Sequence, residues 1–167
     1  MSNYKVDLEK IKGLAFDLDG VFTNGTVLAT EEGHLLRVHN AKDGYALKVA
    51  LDNNYPIAII TGGTDKSIVK RFERLGLEDI YLASHNKLPD FLHFCDKYSL
   101  TPDQVLFMGD DIPDIAVLER CGLPCAPADA VEEVKRASRF ISSYQGGKGC
   151  VREIIEQFLK IKGEWNF

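Results

Sequence analysis

Hydrophobic residues in this chain form short apolar runs that alternate with longer stretches in which apolar positions recur every three or four residues. A short apolar run is typical of a buried β-strand, and the longer spacing is typical of an amphipathic α-helix. The apolar runs predict strands at residues 14–16, 56–60, 80–82, 104–108, 123–126 and 140–141. The helical spacing predicts helices at residues 43–53, 67–75, 87–98, 112–120, 131–137 and 151–160. Such alternation predicts an α/β fold with a doubly wound, mainly parallel sheet and right-handed crossovers.

Two segments depart from this alternation. Residues 22–40 contain two short apolar runs, at residues 26–29 and 35–38, with a polar stretch between them, which predicts a protruding β-hairpin. Residues 143–167 comprise a glycine-rich tail and the last helix. Because no repeat or interdomain linker is evident, residues 1–167 are interpreted as a single domain, long enough to bury a substantial core.

Composition disfavours several classes of partner. The chain is 45% hydrophobic and 27% charged with a net charge of -5, which argues against a nucleic-acid binder, since such proteins depend on Lys and Arg to neutralise phosphates. Residues 1–12 lack the apolar core of a signal peptide, and no run approaches the roughly 18 apolar residues of a membrane span, so we expect a cytoplasmic location and no membrane partner. The four cysteines lack Cys-x-x-Cys spacing, which predicts reduced thiols.

The most informative polar sequence is Asp17-Leu18-Asp19-Gly20, directly after the first apolar run. Side chains two residues apart on a strand point the same way, so both carboxylates are predicted at the carboxyl end of a strand, where open α/β sheets bind ligands. Solvated loop acids and a calcium loop are the alternatives. A calcium loop continues with further acids at alternate positions, whereas apolar residues follow here, so calcium is a minor alternative.

Two weaker features follow later in the chain. Thr61-Gly62-Gly63 ends the strand predicted at residues 56–60 and precedes a helix. It offers a hydroxyl group, backbone N–H groups and a helix N-terminus, all of which suit a phosphate oxygen. Lys87 opens the helix predicted at residues 87–98. Taken alone, a glycine-rich turn is commonly structural and a single lysine is commonly solvated.

Three acids, Asp110, Asp111 and Asp114, follow the strand predicted at residues 104–108. Their mutual repulsion would be costly there unless a cation or several hydrogen bonds compensated it. A bound metal is the economical explanation. Together with Asp17 these acids form an all-oxygen donor set, which favours Mg²⁺ over zinc or copper.

In their order along the chain, these four sequences resemble the motifs of the haloacid dehalogenase superfamily of phosphotransferases. The resemblance implies that Asp17 is the nucleophile, which forms an aspartyl-phosphate. It implies that Asp19 is the general acid for the leaving group and then the base for water. It also implies a Mg²⁺ cofactor held by the carboxylates of Asp17 and Asp110 and by the backbone carbonyl of Asp19.

The same resemblance implies roles for the other motif residues. Thr61, the backbone at Gly62, and Lys87 would bind the phosphoryl oxygens and stabilise transition-state charge. Asp111 and Asp114 would support the metal site. An acid two residues after the nucleophile favours a phosphatase over a dehalogenase or an ion pump.

Other classes fit less well. A non-catalytic binding protein of this fold would be expected to lose the nucleophile or the acid, and both are present. A phosphomutase usually needs a cap domain, and the short spacing between the motifs leaves no room for one. A DNA 3′-phosphatase fits poorly with the acidic balance of the chain.

Without a cap, the active site of a single subunit would be open, and the hairpin at residues 22–40 is the candidate cover. Capless relatives of similar length form a homotetramer in which this hairpin joins a central β-barrel and neighbouring subunits complete each site. The resemblance therefore implies a homotetramer here, with the same exchange between neighbours.

Closer likeness covers nearly the full chain and concerns the substrate. Residues 19–25, 40–44 and 146–153 resemble those of the capless bacterial phosphatases that act on 3-deoxy-D-manno-octulosonate 8-phosphate, a phosphorylated keto-sugar acid of lipopolysaccharide synthesis. In that group the glycine-rich tail can reach a neighbouring active site. Lys148 and Arg152 are therefore candidates for contact with the phosphate or the carboxylate of the substrate.

Two residues depart from the pattern of that group. Asn24 stands where the group usually has Asp, and Gly63 stands where many members have Arg. Relatives that act on nine-carbon, sialic-acid-type 9-phosphates often have Glu at the position of Gly63. The eight-carbon acid is the preferred substrate, and a nonulosonate 9-phosphate is the alternative.

Overall fold

The computed structural model describes residues 4–167 and contains eight strands. They are β1 (Gly13–Phe16), β2 (Leu28–Ala29), β3 (Leu35–Leu36), β4 (Ile57–Ile60), β5 (Asp79–Tyr81), β6 (Val105–Met108), β7 (Leu123–Ala126) and β8 (Phe140–Ile141). Six of them form one parallel sheet in the order β5-β4-β1-β6-β7-β8, and β2 pairs antiparallel with β3. The prediction of a doubly wound parallel sheet with a separate hairpin is confirmed.

The helices of the described residues flank this sheet. They are α1 (Tyr4–Lys10), α2 (Ala41–Asp52), α3 (Lys66–Glu73), α4 (Lys87–Lys97), α5 (Ile115–Leu118), α6 (Glu132–Ala137) and α7 (Cys150–Lys162). Helix α1 was not among the predicted elements. The helix predicted at residues 112–120 begins instead as a 3-10 turn at Ile112–Asp114, with Pro113 in its first turn. Within this part of the chain, no helix has the length and apolar character needed to cross a membrane.

Strand order reverses at β1, which lies between β4 and β6. Phe16, the last residue of β1, is in register with Ile59 on one side and with Met108 on the other. The segments that follow these three strands therefore leave the sheet side by side. In open α/β sheets the crevice at such a reversal is the usual ligand site.

Apolar side chains cover both faces of the sheet. Every residue of β1, β4, β6 and β7 is buried. Because successive side chains of a strand point to opposite faces, Phe16 and Met108 pack on one face, and Ala15 and Phe107 pack on the other. The sheet is thus held rigidly from both sides, which fixes the strand ends that carry the polar motifs.

The hairpin has shorter strands than the predicted runs, with two residues in each. Its apolar side chains are largely exposed: Leu28 is 65% exposed and Val38 is 84% exposed. A two-stranded hairpin is only marginally stable by itself. The hairpin of the single chain therefore leaves apolar surface without a covering element.

Candidate active site

Asp17 is the first residue after β1. Its backbone N–H donates to the carbonyl oxygen of Met108 at 2.9 Å, which continues the pairing of β1 with β6. The buried Oδ1 atom of Asp17 accepts a hydrogen bond from the N–H of Leu18 at 2.7 Å and lies 2.8 Å from Nζ of Lys87. The carboxylate predicted to be the nucleophile therefore has a fixed orientation, and the positively charged ammonium group of Lys87 lies beside it.

Gly20 brings the loop after β1 against the loop after β6. Its φ of 82° lies in the left-handed region, which glycine adopts without strain. A Cβ atom on this residue would lie 1.8 Å from Oδ2 of Asp110. A larger residue would displace that carboxylate, so Gly20 is required both for the turn and for the approach of Asp110 to Asp17.

Asp114 organises the loop after β6. This fully buried side chain accepts hydrogen bonds at Oδ2 from the N–H groups of Asp110 (2.9 Å) and Asp111 (3.3 Å). Its Oδ1 accepts a hydrogen bond of 2.6 Å from Lys87. A Cβ atom on Gly109 would lie 2.5 Å from Asp114, so glycine is needed here too. Asp114 thus links the loop backbone to the lysine beside Asp17.

Asp111 has a different environment from the other two acids of this loop. Its side chain is exposed, and Oδ1 accepts a hydrogen bond of 2.8 Å from the N–H of Ile112 at the start of the following 3-10 turn. The contact stabilises the turn that directs Asp114 inward. Asp111 therefore contributes to the local structure of this loop.

Thr61 and Gly62 follow β4 on the other side of β1. Thr61 is buried, and its Oγ1 atom accepts a hydrogen bond of 3.0 Å from the N–H of Gly63. Gly62 is exposed, and the nearest atom to a Cβ placed there would be Nδ1 of His85 at 3.7 Å. Packing therefore does not demand glycine at position 62, and its exposed backbone remains open to a ligand from solvent.

Burial and neighbouring charge raise the pKa values of two carboxyl groups of the cluster, Asp17 and Asp110. Burial raises the pKa of Asp17 well above its ordinary value, and the charge of Asp114 adds to the rise, while Lys87 opposes it. Burial and then the charge of Asp114 raise the pKa of Asp110 to about 7. Burial by itself lowers the pKa of Lys87, but Asp17 and Asp114 outweigh it, so the net pKa is raised. One lysine therefore leaves negative charge uncompensated.

These residues fit a divalent cation. Asp17, Asp110 and Asp114 each offer one carboxylate oxygen, and the three atoms lie within 4.8 Å of one another. Hard oxygen donors are the ligands that Mg²⁺ prefers. A cation would favour the ionised forms of Asp17 and Asp110, whose pKa values are raised first by burial and then by the charge of Asp114. Both oxygens of Asp114 already accept hydrogen bonds, so Asp17 and Asp110 are the better direct ligands, and Asp114 is better suited to hold the loop.

Asp19 is more accessible than Asp17, and its partner comes from the hairpin. The guanidinium group of Arg37 contacts both carboxylate oxygens of Asp19, from Nε to Oδ1 at 2.7 Å and from Nη2 to Oδ2 at 3.0 Å. Sequence reasoning missed Arg37, because no motif marks an arginine that follows a hairpin strand. Only the folded hairpin brings it to the site.

Lys148 and Arg152 lie away from the acidic cluster within the single chain. Both line a separate cleft beside α7 that also contains Lys42. Arg152 pairs with Glu156 at 2.9 Å, and its guanidinium carbon lies 4.7 Å from the ring centre of Trp165. The fold thus brings together Asp17, Lys87, Asp110 and Asp114. Asp19 pairs with Arg37, and Lys148 and Arg152 stay outside the acidic cluster.

Comparison with known proteins identifies the family of this chain. Residues 78–154 match a family described as haloacid dehalogenase-like hydrolase. The 3-deoxy-D-manno-octulosonate 8-phosphate phosphatase of Salmonella typhi is 35% identical over 156 residues, which cover 93% of this chain and 83% of that protein. The chain belongs to this phosphatase family. The enzyme of Escherichia coli K12 is 34% identical with the same coverage.

Solved structures of similar proteins place this phosphatase in the same fold. The 3-deoxy-D-manno-octulosonate 8-phosphate phosphatase of Yersinia pestis has a TM-score of 0.95 at 28% identity, covering 98% of this chain and 89% of that one. The enzyme of Moraxella catarrhalis, solved with magnesium, phosphate and the sugar acid, has a TM-score of 0.94 at 26% identity, covering 99% of this chain and 95% of that one. The likeness covers nearly the whole chain, and the expectation of a haloacid dehalogenase-type phosphatase without a cap is confirmed.

Proposed function

We propose that this phosphatase hydrolyses 3-deoxy-D-manno-octulosonate 8-phosphate to the free sugar acid and phosphate, with Mg²⁺ as its cofactor. The observation that carries the proposal is the buried Asp17 carboxylate, which lies against Lys87 and shares a crevice with Asp110. The activity of the relatives, over nearly the full chain, supports the substrate.

In the first half-reaction, Asp17 attacks the phosphorus atom in line with the leaving sugar oxygen. A bond forms between a carboxylate oxygen of Asp17 and phosphorus while the bond from phosphorus to the sugar oxygen breaks. Asp19, protonated at this stage, gives its proton to that oxygen, which leaves as a hydroxyl group. The product on the protein is an aspartyl-phosphate.

In the second half-reaction, Asp19 acts as a carboxylate. It accepts a proton from a water molecule whose oxygen attacks the phosphorus atom, and the bond between phosphorus and Asp17 breaks. Phosphate leaves, and Asp19 is protonated again for the next cycle. Proton and phosphoryl transfers therefore balance over the two steps.

Charge on the phosphoryl group needs compensation in both steps. Asp17, Asp110 and the backbone carbonyl of Asp19 would hold Mg²⁺, which when bound neutralises phosphoryl oxygens and carboxylates alike. Lys87 contributes a second positive charge, 2.8 Å from Oδ1 of Asp17. The hydroxyl group of Thr61 and the exposed backbone at Gly62 supply hydrogen-bond donors to the remaining phosphoryl oxygens.

Phosphate release with Mg²⁺ tests the substrate directly. We expect kcat/KM for the eight-carbon 8-phosphate to exceed that for a nonulosonate 9-phosphate by tenfold or more, about 1.4 kcal/mol of transition-state discrimination. Gly63 is the observation that keeps the nine-carbon acid as the second candidate, because its lack of a side chain favours neither sugar. A preference for the nine-carbon acid would retain the mechanism and replace the substrate.

We further propose a homotetramer in which neighbours complete each site. The exposed apolar side chains of the hairpin support it, since Leu28 and Val38 leave apolar surface that a neighbour would cover. Native mass spectrometry tests the assembly. A mixture of Asp17→Asn and Lys148→Ala subunits tests the exchange: if Lys148 acts on a neighbouring site, mixed tetramers regain activity that neither variant has alone.

We also propose that the protein is located in the cytoplasm. Its support is chemical: the four cysteines are free and three of them are buried, as suits a reducing compartment. Cell fractionation followed by immunodetection tests it.

A further inference from the structure

Arg37 forms a two-point contact with the carboxylate of Asp19, although it lies on an otherwise exposed hairpin. The side chain of Arg37 is 6% exposed, whereas Val38 beside it is 84% exposed. Two parallel N–H···O contacts between a guanidinium group and a carboxylate fix direction as well as distance. A hairpin residue therefore sets the orientation of the side chain that must exchange a proton with the substrate.

The guanidinium group of Arg37 also makes hydrogen bonds to residues other than Asp19. Its Nη1 atom donates to the carbonyl oxygen of Leu35 at 3.0 Å and to Oδ2 of Asp65 at 3.3 Å. Asp65 precedes α3, in the segment that follows β4. Arg37 thus bridges the hairpin, the loop after β1 and the segment after β4, so the orientation of Asp19 depends on all three.

Gly63 leaves the space that this arrangement needs. A Cβ atom at position 63 would lie 3.2 Å from Nη2 of Arg37 and 3.0 Å from Cδ1 of Ile68. Both contacts are tighter than ordinary van der Waals packing, so a side chain there would press on the guanidinium group. The absence of a side chain at Gly63 and the position of Arg37 are therefore coupled.

Without Arg37, little else would hold the carboxylate of Asp19. The hydroxyl group of Thr23 donates to Oδ1 of Asp19 at 3.4 Å, which is long for an O–H···O bond. The side chain of Asp19 is 33% exposed, so solvent could take up the freed carboxylate in other orientations. A general acid must lie within hydrogen-bond reach of the leaving oxygen, so loss of orientation would slow proton transfer.

We propose that Arg37 is a positioning residue for Asp19, which it holds in the direction needed for proton transfer to the leaving sugar oxygen. This inference rests on the proposed function, because it assumes that Asp19 is the general acid. The inference predicts that loss of Arg37 affects two kinds of substrate differently. A sugar alkoxide needs a proton in order to leave, whereas p-nitrophenolate is a stable anion that leaves without one.

The test compares Arg37→Ala, Arg37→Lys and a matched control, Arg74→Ala, which removes an exposed arginine just after α3. For Arg37→Ala we expect kcat/KM on the sugar phosphate to fall by about 10²-fold, the lower range for loss of general acid catalysis. We expect kcat/KM on p-nitrophenyl phosphate to fall much less, because kcat/KM reports the steps up to departure of the leaving group and not the later attack of water, in which Asp19 acts on both substrates alike. Arg37→Lys should recover part of the loss, since one charged contact to Asp19 remains. Arg74→Ala should match the wild type on both substrates.

A series of phenyl phosphates with graded leaving groups adds a readout that a purely structural role would not move. In Arg37→Ala kcat/KM should depend more steeply on leaving-group pKa than in the wild type. Equal losses of kcat/KM on all substrates would overturn the inference. If Arg37→Ala fails to fold, the same comparison on Arg37→Lys decides. A wild type inactive on every phosphate ester would instead refute the proposed function itself.

Discussion

A Cβ atom on Gly146 would lie 2.0 Å from the carbonyl oxygen of Gly20, so the glycine-rich tail packs directly against the loop that carries Asp17. Two hydrogen bonds hold this contact. The N–H of Gly147 donates to the carbonyl oxygen of Val21 at 2.9 Å, and Nδ2 of Asn40 donates to the carbonyl oxygen of Gly147 at 3.2 Å. The tail therefore supports the catalytic loop of its own chain.

Replacing Gly146 with alanine should disturb catalysis through this contact. The added methyl group must push the loop at Gly20, and a shift of about 1 Å at a reacting group can cost on the order of 10²-fold in rate. We expect a loss of about 1–3 kcal/mol in unfolding free energy, as for overpacking elsewhere, and a fall of at least about tenfold in kcat/KM. Steady-state kinetics with urea unfolding measures both.

Gly76→Ala is the matched control. Gly76 has a φ of 91° and nothing within 4 Å of a Cβ atom, so alanine there adds backbone strain without a clash. We expect a loss of about 1–2 kcal/mol in unfolding free energy with unchanged kcat/KM. If the two variants lose activity equally, the tail does not position the catalytic loop.

Features that follow from the regular geometry of the sheet could be predicted from the sequence, whereas features that depend on how irregular segments fold could not. Asp17, Thr61 and Asp110 could be predicted as neighbours because each follows an apolar strand, and parallel strands present their carboxyl ends at one edge. The pairing of Arg37 with Asp19 could not be predicted, because the two residues come together only when the hairpin folds back over the loop. The same holds for Gly146, which glycine content alone marks only as flexible.

The accuracy of the predicted secondary structure also varies between segments. The strands of the sheet were predicted to within two residues because their apolar runs are buried whole. Strands β2 and β3 are shorter than their apolar runs, since each has only one neighbour in the single chain. Helix α1 carries a single buried side chain, Leu8, which leaves no helical pattern to recognise.

Asp17→Asn should abolish turnover without changing the fold. The amide is nearly isosteric with the carboxylate but is a poor nucleophile, so we expect a fall of about 10³-fold or more in kcat. Phosphate release and circular dichroism are the measurements, and Asp96→Asn, an exposed acid on α4, is the control. Phosphate release by Asp17→Asn at a rate near that of the wild type would disprove the covalent mechanism.

Lys87→Met should destabilise the protein as well as inactivate it. Lys87 contacts Asp17 at 2.8 Å and Asp114 at 2.6 Å, and its removal leaves two buried carboxylates without their cation. Breaking a buried ion pair costs about 3–5 kcal/mol. Because Mg²⁺ adds positive charge at the same cluster, we expect it to raise the melting temperature of this variant more than that of the wild type.

Lys97→Met is the control for that experiment. Lys97 also lies 2.6 Å from an aspartate, Asp79, but its side chain is 44% exposed. Solvent screens the exposed lysine, and the hydroxyl group of Tyr98 still donates to the buried Asp79 carboxylate. We therefore expect a loss of stability smaller than that of Lys87→Met, which Mg²⁺ does not affect. Similar losses in the two lysine variants would argue against a buried, charge-compensating role for Lys87.

Asp43→Asn should change how stability depends on pH. Asp43 is buried at the start of α2, and its Oδ1 atom accepts a hydrogen bond of 2.7 Å from the N–H of Arg152 in α7. Its Oδ2 atom has no hydrogen-bond partner among the described residues. Burial raises the pKa of Asp43, and the N–H groups of Arg152 and Gly149 only partly oppose the rise.

The sign of the effect follows from proton linkage. The folded protein holds the Asp43 proton more tightly than the unfolded chain, so the contribution of Asp43 to unfolding free energy falls as pH rises from about 4 through the raised pKa. Asparagine does not titrate. The unfolding free energy of Asp43→Asn minus that of the wild type should therefore increase with pH across this window, as measured by urea unfolding in a series of buffers.

Glu156→Gln provides a control with the opposite sign. Lys160 and then Arg152 lower the pKa of Glu156, so its contribution to stability is present above the ordinary carboxyl pKa and is lost as pH falls through the lowered value. The unfolding free energy of Glu156→Gln minus that of the wild type should therefore decrease as pH rises. If Asp43→Asn follows the trend of Glu156→Gln, the ionised Asp43 carboxylate stabilises the junction between α2 and α7 more than burial penalises it.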